Sequence, residues 1–498
     1  MSLPVMLAPL ASADPLELFA SREGRRVAAG WAGGAPSLAD SPESLRGDRI
    51  VLGTAAGNPA LARLLQSGFL PEPRIPQGYS IRCAPDPADP GRWILAVAGA
   101  DPAGVLYAVR DLEHDEGRRF RSAGGRLEAT PFARLEHPRI EHRGHWIWGC
   151  NMPDKPAWID NMSRWKLNEL IHWDNRLPAR AKEYVDFAHS RGVRVIWGFG
   201  WGWCPDWNFK LPPDFDRGRG EGVEMCGSSE ANLRFFRREI LRKVREEYAP
   251  TGCDGLYFQS FTECPKCGCP ACSGRSLGEL MLRFVNPIVA DIKAEFPDLW
   301  LSCGIHHDFG NFEALKELDP RCNIFWENCR AGTSVRGPDE DFGYIHKSIP
   351  YGHGYGRDVS ADPPFTEASL AAWMAGNAGR YRVEGGLLSH YRYMEALQRW
   401  GRRFLGKPSV RKHASVVADH SVFCRRTPFP HAALAEAQWN PDLDTRAKTD
   451  ALLSFLGLYD EVARAPDPES PARDPEGMPP WLAFPAGGEG ADREGHAV

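Results

Sequence analysis

The 498-residue sequence has no apolar run long enough to span a bilayer, so a membrane-embedded chain is not expected. It also lacks an excess of positive charge. Its 60 Lys and Arg against 65 Asp and Glu leave a formal net charge of -5, and nothing suggests a nucleic-acid partner. No His-x-His or His-Glu-x-x-His pattern is present to build the helix of a metallohydrolase. The stretch Met1 to Asp14 ends in Ala11-Ser12-Ala13, which has the look of a leader cleavage site. It has no Lys or Arg ahead of it, and its apolar run is broken by Pro4 and Pro9. A non-secreted, cytoplasmic protein is therefore expected.

The composition, 43% hydrophobic and 25% charged, is that of an ordinary globular protein with a sizeable core, and the length allows two or three domains. The 17 Trp and 24 Phe are compatible with stacking on the flat C–H faces of sugars, although such rings also fill cores. Thirteen cysteines is an odd number. Four of them are clustered, at Cys264, Cys267, Cys269 and Cys272. That pattern suits thiols and a metal in a reducing compartment better than a disulfide framework.

Residues 1–135 read as a small α/β module. Its strands are Arg49 to Gly53, Gly78 to Cys83 and Trp93 to Val97, and its helices are Asn58 to Gln66 and a second opening at Asp101. From 140 to 425, strand and helix patterns alternate. Strands are expected at Arg143–Trp148, Glu169–Trp173, Arg194–Phe199, Gly255–Phe261, Trp300–Ile305 and Cys322–Trp326, with weaker ones at Ser348–His353 and Gly385–His390. Helical patterns fall at Glu230–Glu247, Leu277–Phe296 and Thr366–Gly376. This order predicts an α/β fold, a (β/α)8 TIM barrel preceded by the small α/β domain. Closing helices are expected over 426–465, and a Pro-, Gly- and acid-rich disordered tail over 466–498.

Polar and aromatic side chains mark the expected strand ends: His145 and Trp148; His172, Trp173, Asp174, Asn175 and Arg176; Trp201 and Trp203; Thr262 and Glu263. Later strands supply His306, His307 and Asp308, then Glu327, His353 and His390. In a parallel barrel, carboxyl-end residues converge on one rim, where catalytic groups sit. Any one of these residues could equally be a satisfied loop or core residue.

Several of these segments resemble glycoside hydrolases, namely the family 20 β-hexosaminidases and family 67 α-glucuronidases. Arg49-Ile-Val-Leu-Gly53, Gln77-Gly-Tyr79 and Gly104-Val-Leu-Tyr107 resemble their amino-terminal domain. Trp165-Lys-Leu-Asn168 followed by His172-Trp-Asp-Asn175 is similar to a Lys-x-Asn…His pattern at the start of the hexosaminidase barrel, and Ala188 to Trp197 looks like its third strand. The resemblance implies a carbohydrate substrate, with Glu263 as general acid. In hexosaminidases an Asp precedes that Glu and orients the substrate acetamide. Here the position holds Thr262, which counts against acetamide-assisted cleavage.

Glycoside cleavage ordinarily needs a proton donor and a second carboxylate as base or nucleophile. Glu327 is the first candidate for the second group, with Asp174 and Asp308 in reserve, unless Glu327 only binds a sugar hydroxyl. Phe258, Phe261 and Tyr257 could supply apolar surroundings that keep Glu263 protonated. The spacing Cys264-x-x-Cys267-x-Cys269-x-x-Cys272 predicts a structural zinc site, with Cys150, Cys204 or Cys226 as possible substitute ligands. Two other readings compete: a zinc-dependent hydrolase using His145, His172, His306 or His307, and an inactive sugar-binding barrel.

Overall fold

A computed structural model of the chain describes residues 6–8, 10–32, 36–41, 47–114, 120–123, 126–148, 155–173, 176–202, 205–259, 265–306, 314, 317–328, 342–346, 413–417, 429–440 and 444–456. The amino-terminal elements are β1 (Met6–Leu7), α1 (Pro15–Ala32), β2 (Ser37–Leu38), β3 (Arg49–Thr54), α2 (Pro59–Gln66), β4 (Tyr79–Asp86), β5 (Asp89–Gly99) and α3 (Pro102–His114). A small antiparallel hairpin, β6 (Phe120–Ala123) with β7 (Arg126–Ala129), and then β8 (Phe132–Glu136) follow. The sheet runs β2-β1-β3-β5-β4-β8; β1, β2, β3 and β5 pair in parallel, and β4 pairs antiparallel with β5 and β8. Its central strands read as unbroken apolar runs because both faces are covered. Phe19, Val27, Val105 and Leu106 of α1 and α3 pack on Ile50, Leu52, Ile81 and Val97. Leu61 and Phe69 pack on Val51, Ile94 and Ala96 of the other face. Asn58 starts α2 by accepting bonds from the Ala60 and Leu61 amides, with Pro59 in the first turn.

The second part contains β9 (His142–Trp148), α4 (Lys155–Arg164), β10 (Glu169–Trp173), α5 (Ala181–His189), β11 (Arg194–Gly200), α6 (Pro205–Asn208), α7 (Glu230–Lys243) and β12 (Gly255–Gln259). It continues with α8 (Pro270–Ser273), α9 (Leu277–Glu295), β13 (Trp300–His306), β14 (Cys322–Asn328), β15 (Phe342–His346), β16 (His413–Val417), α10 (Phe429–Trp439) and α11 (Thr445–Phe455). Strands β9 to β16 pair in parallel in chain order, and β16 pairs back to β9. Helices α4, α5, α7 and α9 separate the first five of them, giving an α/β arrangement of the TIM-barrel type. Gly144 is required where β9 meets β10, since an added Cβ would fall 1.5 Å from the Glu169 carbonyl oxygen.

The first six strands lie where the sequence places them, within two residues at each end. The last two do not. The ring uses Phe342–His346 and His413–Val417; the expected Ser348–His353 and Gly385–His390, and the helix at Thr366–Gly376, lie outside the described residues. Among the described residues, no helix is long and apolar enough to cross a membrane.

A buried ionic network joins the two parts at the amino-terminal end of the ring. Lys166, in the turn before β10, is 1% exposed and adopts a left-handed backbone at φ 59. Its Nζ lies 2.8 Å from Asp111 Oδ1 of α3, 3.8 Å from Glu436 of α10, and over the Trp439 ring. Asp111 also accepts from Arg134 at 2.7 Å and from the Tyr79 hydroxyl. Around Lys166, the Arg143 side chain donates to the Lys166 carbonyl, to Gln77 and to the Ile140 and Glu141 carbonyls. Asn168 accepts from the Arg143 amide and donates to Gln77. Burial opposes the charge on Asp111, but Lys166 and Arg134 overcome it and hold the carboxyl well below its ordinary value of 3.8. Its stabilisation is therefore present above about pH 3.9 and lost as the pH falls through the folded-state value. Replacing Asp111→Asn leaves Lys166 and Arg134 under-compensated, and should destabilise the fold by about 3–5 kcal/mol at neutral pH. Urea unfolding of variant and parent checks this; a difference below about 1 kcal/mol would mean that water or Glu436 takes over the charge.

Candidate active site and thiol cluster

Successive strand residues alternate between the ring interior and the helix layer, and register partners share a side. This alternation sorts the candidate residues. Trp173, Gly198, Tyr257 and Ser302 are register partners on neighbouring strands. The Trp173 and Tyr257 rings meet edge to face at 5.8 Å, and a Cβ on Gly198 would touch both. They form an aromatic floor inside the ring. Both rings are almost fully buried.

His145, His172 and Trp201 face the helices instead, which corrects their expected place on the rim. His145 packs edge-on to Trp158 of α4 at 5.7 Å. His172 Nδ1 lies 3.1 Å from the Tyr184 hydroxyl of α5, and its ring packs on Trp197. Trp201 packs on Phe236 of α7 and Phe284 of α9. Phe258 likewise packs outward, near Phe199 and within the helix-layer core, so of the three aromatics expected around Glu263 only Tyr257 is placed inside the ring. Phe261 lies outside the described residues.

At the carboxyl ends, Glu327 is the register partner of His306 across β13 and β14. Trp148 is the register partner of Trp173 across β9 and β10. Arg176 is exposed after β10. Glu263 and Thr262 follow the last residue of β12, Gln259, and lie outside the described residues, as do Asp174, Asn175, Trp203, Cys264, His307, Asp308, His353 and His390. A cavity of about 320 Å³ lined by Tyr79, Asp111, Lys166, Glu436 and Trp439 belongs to the opposite, amino-terminal end of the ring.

A second constellation lies beside the carboxyl ends. The sulfur atoms of Cys226, Cys267, Cys269 and Cys272 all lie within 4.8 Å of one another. Cys226 was expected only as a substitute ligand, and Cys264, expected among the four, is outside the described residues. Cys226 Sγ lies 3.8 Å from both Cys269 Sγ and Cys272 Sγ, although it is 43 residues from Cys269 in sequence. The loops are laced by backbone bonds as well: Gly268 N donates to Arg219 O at 2.8 Å, and Arg219 N to Cys267 Sγ at 3.3 Å. Asn232, fully buried at the start of α7, donates to the Asp216 and Cys226 carbonyls and accepts from the Asp216 amide. A nearby backbone N–H at Cys272 brings the Cys269 thiol down to about 7, which eases formation of a thiolate. The sequence carries one hint of Cys226: it stands in a short loop just before Ser229, the cap of α7.

No protein-family model and no curated protein matches the chain. Solved structures do. A β-N-acetylhexosaminidase from Bacteroides fragilis superposes with a TM-score of 0.53 at 16% identity, covering 94% of this chain and 93% of that one. The family 20 β-N-acetylhexosaminidase of Streptomyces coelicolor A3(2) gives 0.53 at 13% identity, over 92% and 93%. A chitobiase from Flavobacterium johnsoniae gives 0.53 at 11% identity, over 92% and 69%. The fold is that of the family 20 β-hexosaminidases. This agrees with the resemblance carried by the Lys166–Asn168 and Gln77–Tyr79 segments, whose residues prove to be joined in the amino-terminal network.

His145 provides a test of the two-sided layout. Burial alone pushes it down to about 3, from an ordinary 6.5. A histidine depressed in the folded state contributes full stability above about pH 6.5, and that stability declines as the pH falls toward 3. His145→Phe should therefore remove about 2–3 kcal/mol of the stability loss between about pH 7.5 and pH 4.5. Denaturant midpoints at the two pH values check it. An unchanged pH dependence would place His145 in contact with water.

Proposed function

We propose that the protein is a glycoside hydrolase in which Glu263 protonates the leaving oxygen and Glu327 is the second carboxylate. The observation that carries the reading is the match of fold to hexosaminidases over more than nine-tenths of the chain. It is supported by position: β12 and β14 are the fourth and sixth strands of the ring, Glu263 follows β12, and Glu327 is next to the last residue of β14. Carboxyl ends of ring strands are where this architecture keeps its chemistry. On this reading 140–425 is a complete (β/α)8 catalytic barrel, 1–135 its preceding domain and 426–465 its closing helices. Trp173 and Tyr257 give the sugar pocket an apolar floor, and His306, the register partner of Glu327, is assigned to substrate binding.

Thr262 separates this chain from acetamide-assisted cleavage, because a hydroxyl cannot stabilise a developing oxazolinium charge. A glycoside whose hydrolysis relies on a second protein carboxylate is the substrate we favour. The outward packing of His145 and His172 removes two of the four candidate histidine ligands of a zinc-dependent hydrolase.

Glu263→Gln keeps the shape and removes the proton. On glycosides with poor leaving groups, kcat should fall by about a hundred- to ten-thousand-fold. An aryl glycoside with an acidic phenol needs less protonation and should lose much less. Equal losses on the two substrates would make Glu263 a binding group, and unchanged activity would remove it from the mechanism.

A further inference from the structure

We propose that Cys226, Cys267, Cys269 and Cys272 hold one zinc ion in a closed tetrahedral site that fastens the loop after β11 to the segment after β12. The proposal is independent of the hydrolase reading, since it rests on the thiols alone. Zinc–thiolate bonds are about 2.3 Å long, so two sulfurs at the corners of a regular ZnS4 tetrahedron stand about 3.8 Å apart. The distances from Cys226 to Cys269 and to Cys272 are both 3.8 Å. Four sulfurs mutually within 4.8 Å describe one centre; two disulfides would instead gather them in pairs at about 2 Å.

The surroundings suit thiolates. The amides of Arg219 and Cys269 point at Cys267 Sγ, at 3.3 and 3.5 Å. Ser228 Oγ lies 3.1 Å from Cys272 Sγ and donates to it once that sulfur is ionised. Such donors offset the negative charge that four thiolates bring to one cation and orient the sulfurs. Cys226, Cys267 and Cys272 are buried, and Cys269 is half-buried. With all four positions taken by sulfur there is no open coordination site, so the ion is structural. A tetrahedral all-sulfur set selects zinc or iron, and the thiol count gives no cluster spacing of the ferredoxin kind.

The ligand set differs from the one that the sequence spacing suggests. Cys267-x-Cys269-x-x-Cys272 supplies three ligands from one short segment, and Cys226 supplies the fourth from the loop before α7. The metal therefore ties together two connections that follow adjacent ring strands. Cys264 is not a ligand of the proposed site.

Metal content decides the matter on the intact chain, purified in reductant without chelator and assayed by elemental mass spectrometry. About one zinc per chain is expected. Cys226→Ser should bring zinc well below that, whereas Cys264→Ser should leave it unchanged. If Cys226→Ser does not fold, Cys226→His serves in its place, since a Cys3His set still binds zinc. Cobalt exchanged into the parent protein should then show the visible spectrum of a tetrahedral thiolate site, and the His variant a shifted one. The proposal is overturned by protein that holds no metal, by iron at one per chain, or by a Cys264→Ser variant that loses the zinc while Cys226→Ser keeps it.

Discussion

Lys166 is the residue on which the joining of the two parts depends. A buried ammonium is costly unless oppositely charged groups meet it. Here Asp111 comes from the amino-terminal domain, Glu436 from a carboxyl-terminal helix, and Lys166 itself from the turn before β10. The Lys166 ammonium is tolerable only if these two segments are docked, whereas Asp111 also has Arg134 and Glu436 also has Lys448. The network is for that reason weak as a source of net stability and strong as a selector of arrangement. Arg143 and Asn168 extend it into the first ring strands through backbone carbonyls and amides, so docking and strand register are set at one place.

With its amino-terminal end held in this way, the ring presents two chemically distinct surfaces. Outward-facing residues of β9 to β13 meet helices and need shape and hydrophobicity; His145 and His172 are accepted there as aromatic-like fillers beside Trp158 and Tyr184. Inward-facing residues meet each other, and Gly198 leaves the room in which Trp173 and Tyr257 cross. A one-residue change of register on β10 would exchange His172 for Trp173 inside the ring, so the packing of the helix layer fixes which side chains the interior receives.

Much of this was legible because buried parallel strands are apolar, short and bounded by glycine or turn residues, as in Arg194–Gly200 and Trp300–His306. The seventh and eighth strands were missed for a related reason. Phe342-Gly-Tyr-Ile-His346 and His413-Ala-Ser-Val-Val417 are short and carry glycine or small residues, so they compete poorly with the better-looking runs nearby. The direction of a side chain was harder to read than its strand. Histidine at a strand end looks like a rim residue, yet alternation puts His172 against Tyr184 and leaves Trp173 for the interior. Cys226 illustrates the other limit: spacing favours cysteines of one segment and leaves Cys226 as one of three substitutes, and its approach to Cys269, 43 residues away, becomes visible only when two loops are folded together.

The two ends of the ring call for different means of holding it. At the amino-terminal end the connections are tight, and charges on docked helices suffice. At the carboxyl end the segment from 209 to 229 has no regular structure, so no ladder of backbone bonds can position it. Ordering such a loop costs roughly 1–2 kcal/mol per residue in backbone entropy. Asn232 offsets part of this by replacing missing backbone partners at Asp216 and Cys226. In the proposed site, thiolates gathered on one ion would add a cross-link between distant positions, restricting the unfolded chain and anchoring the loop in the folded one. On the hydrolase reading proposed above, a rim whose loops hold a sugar close to two carboxylates would need that rigidity. The sulfur cluster beside β12 is placed where it would matter most.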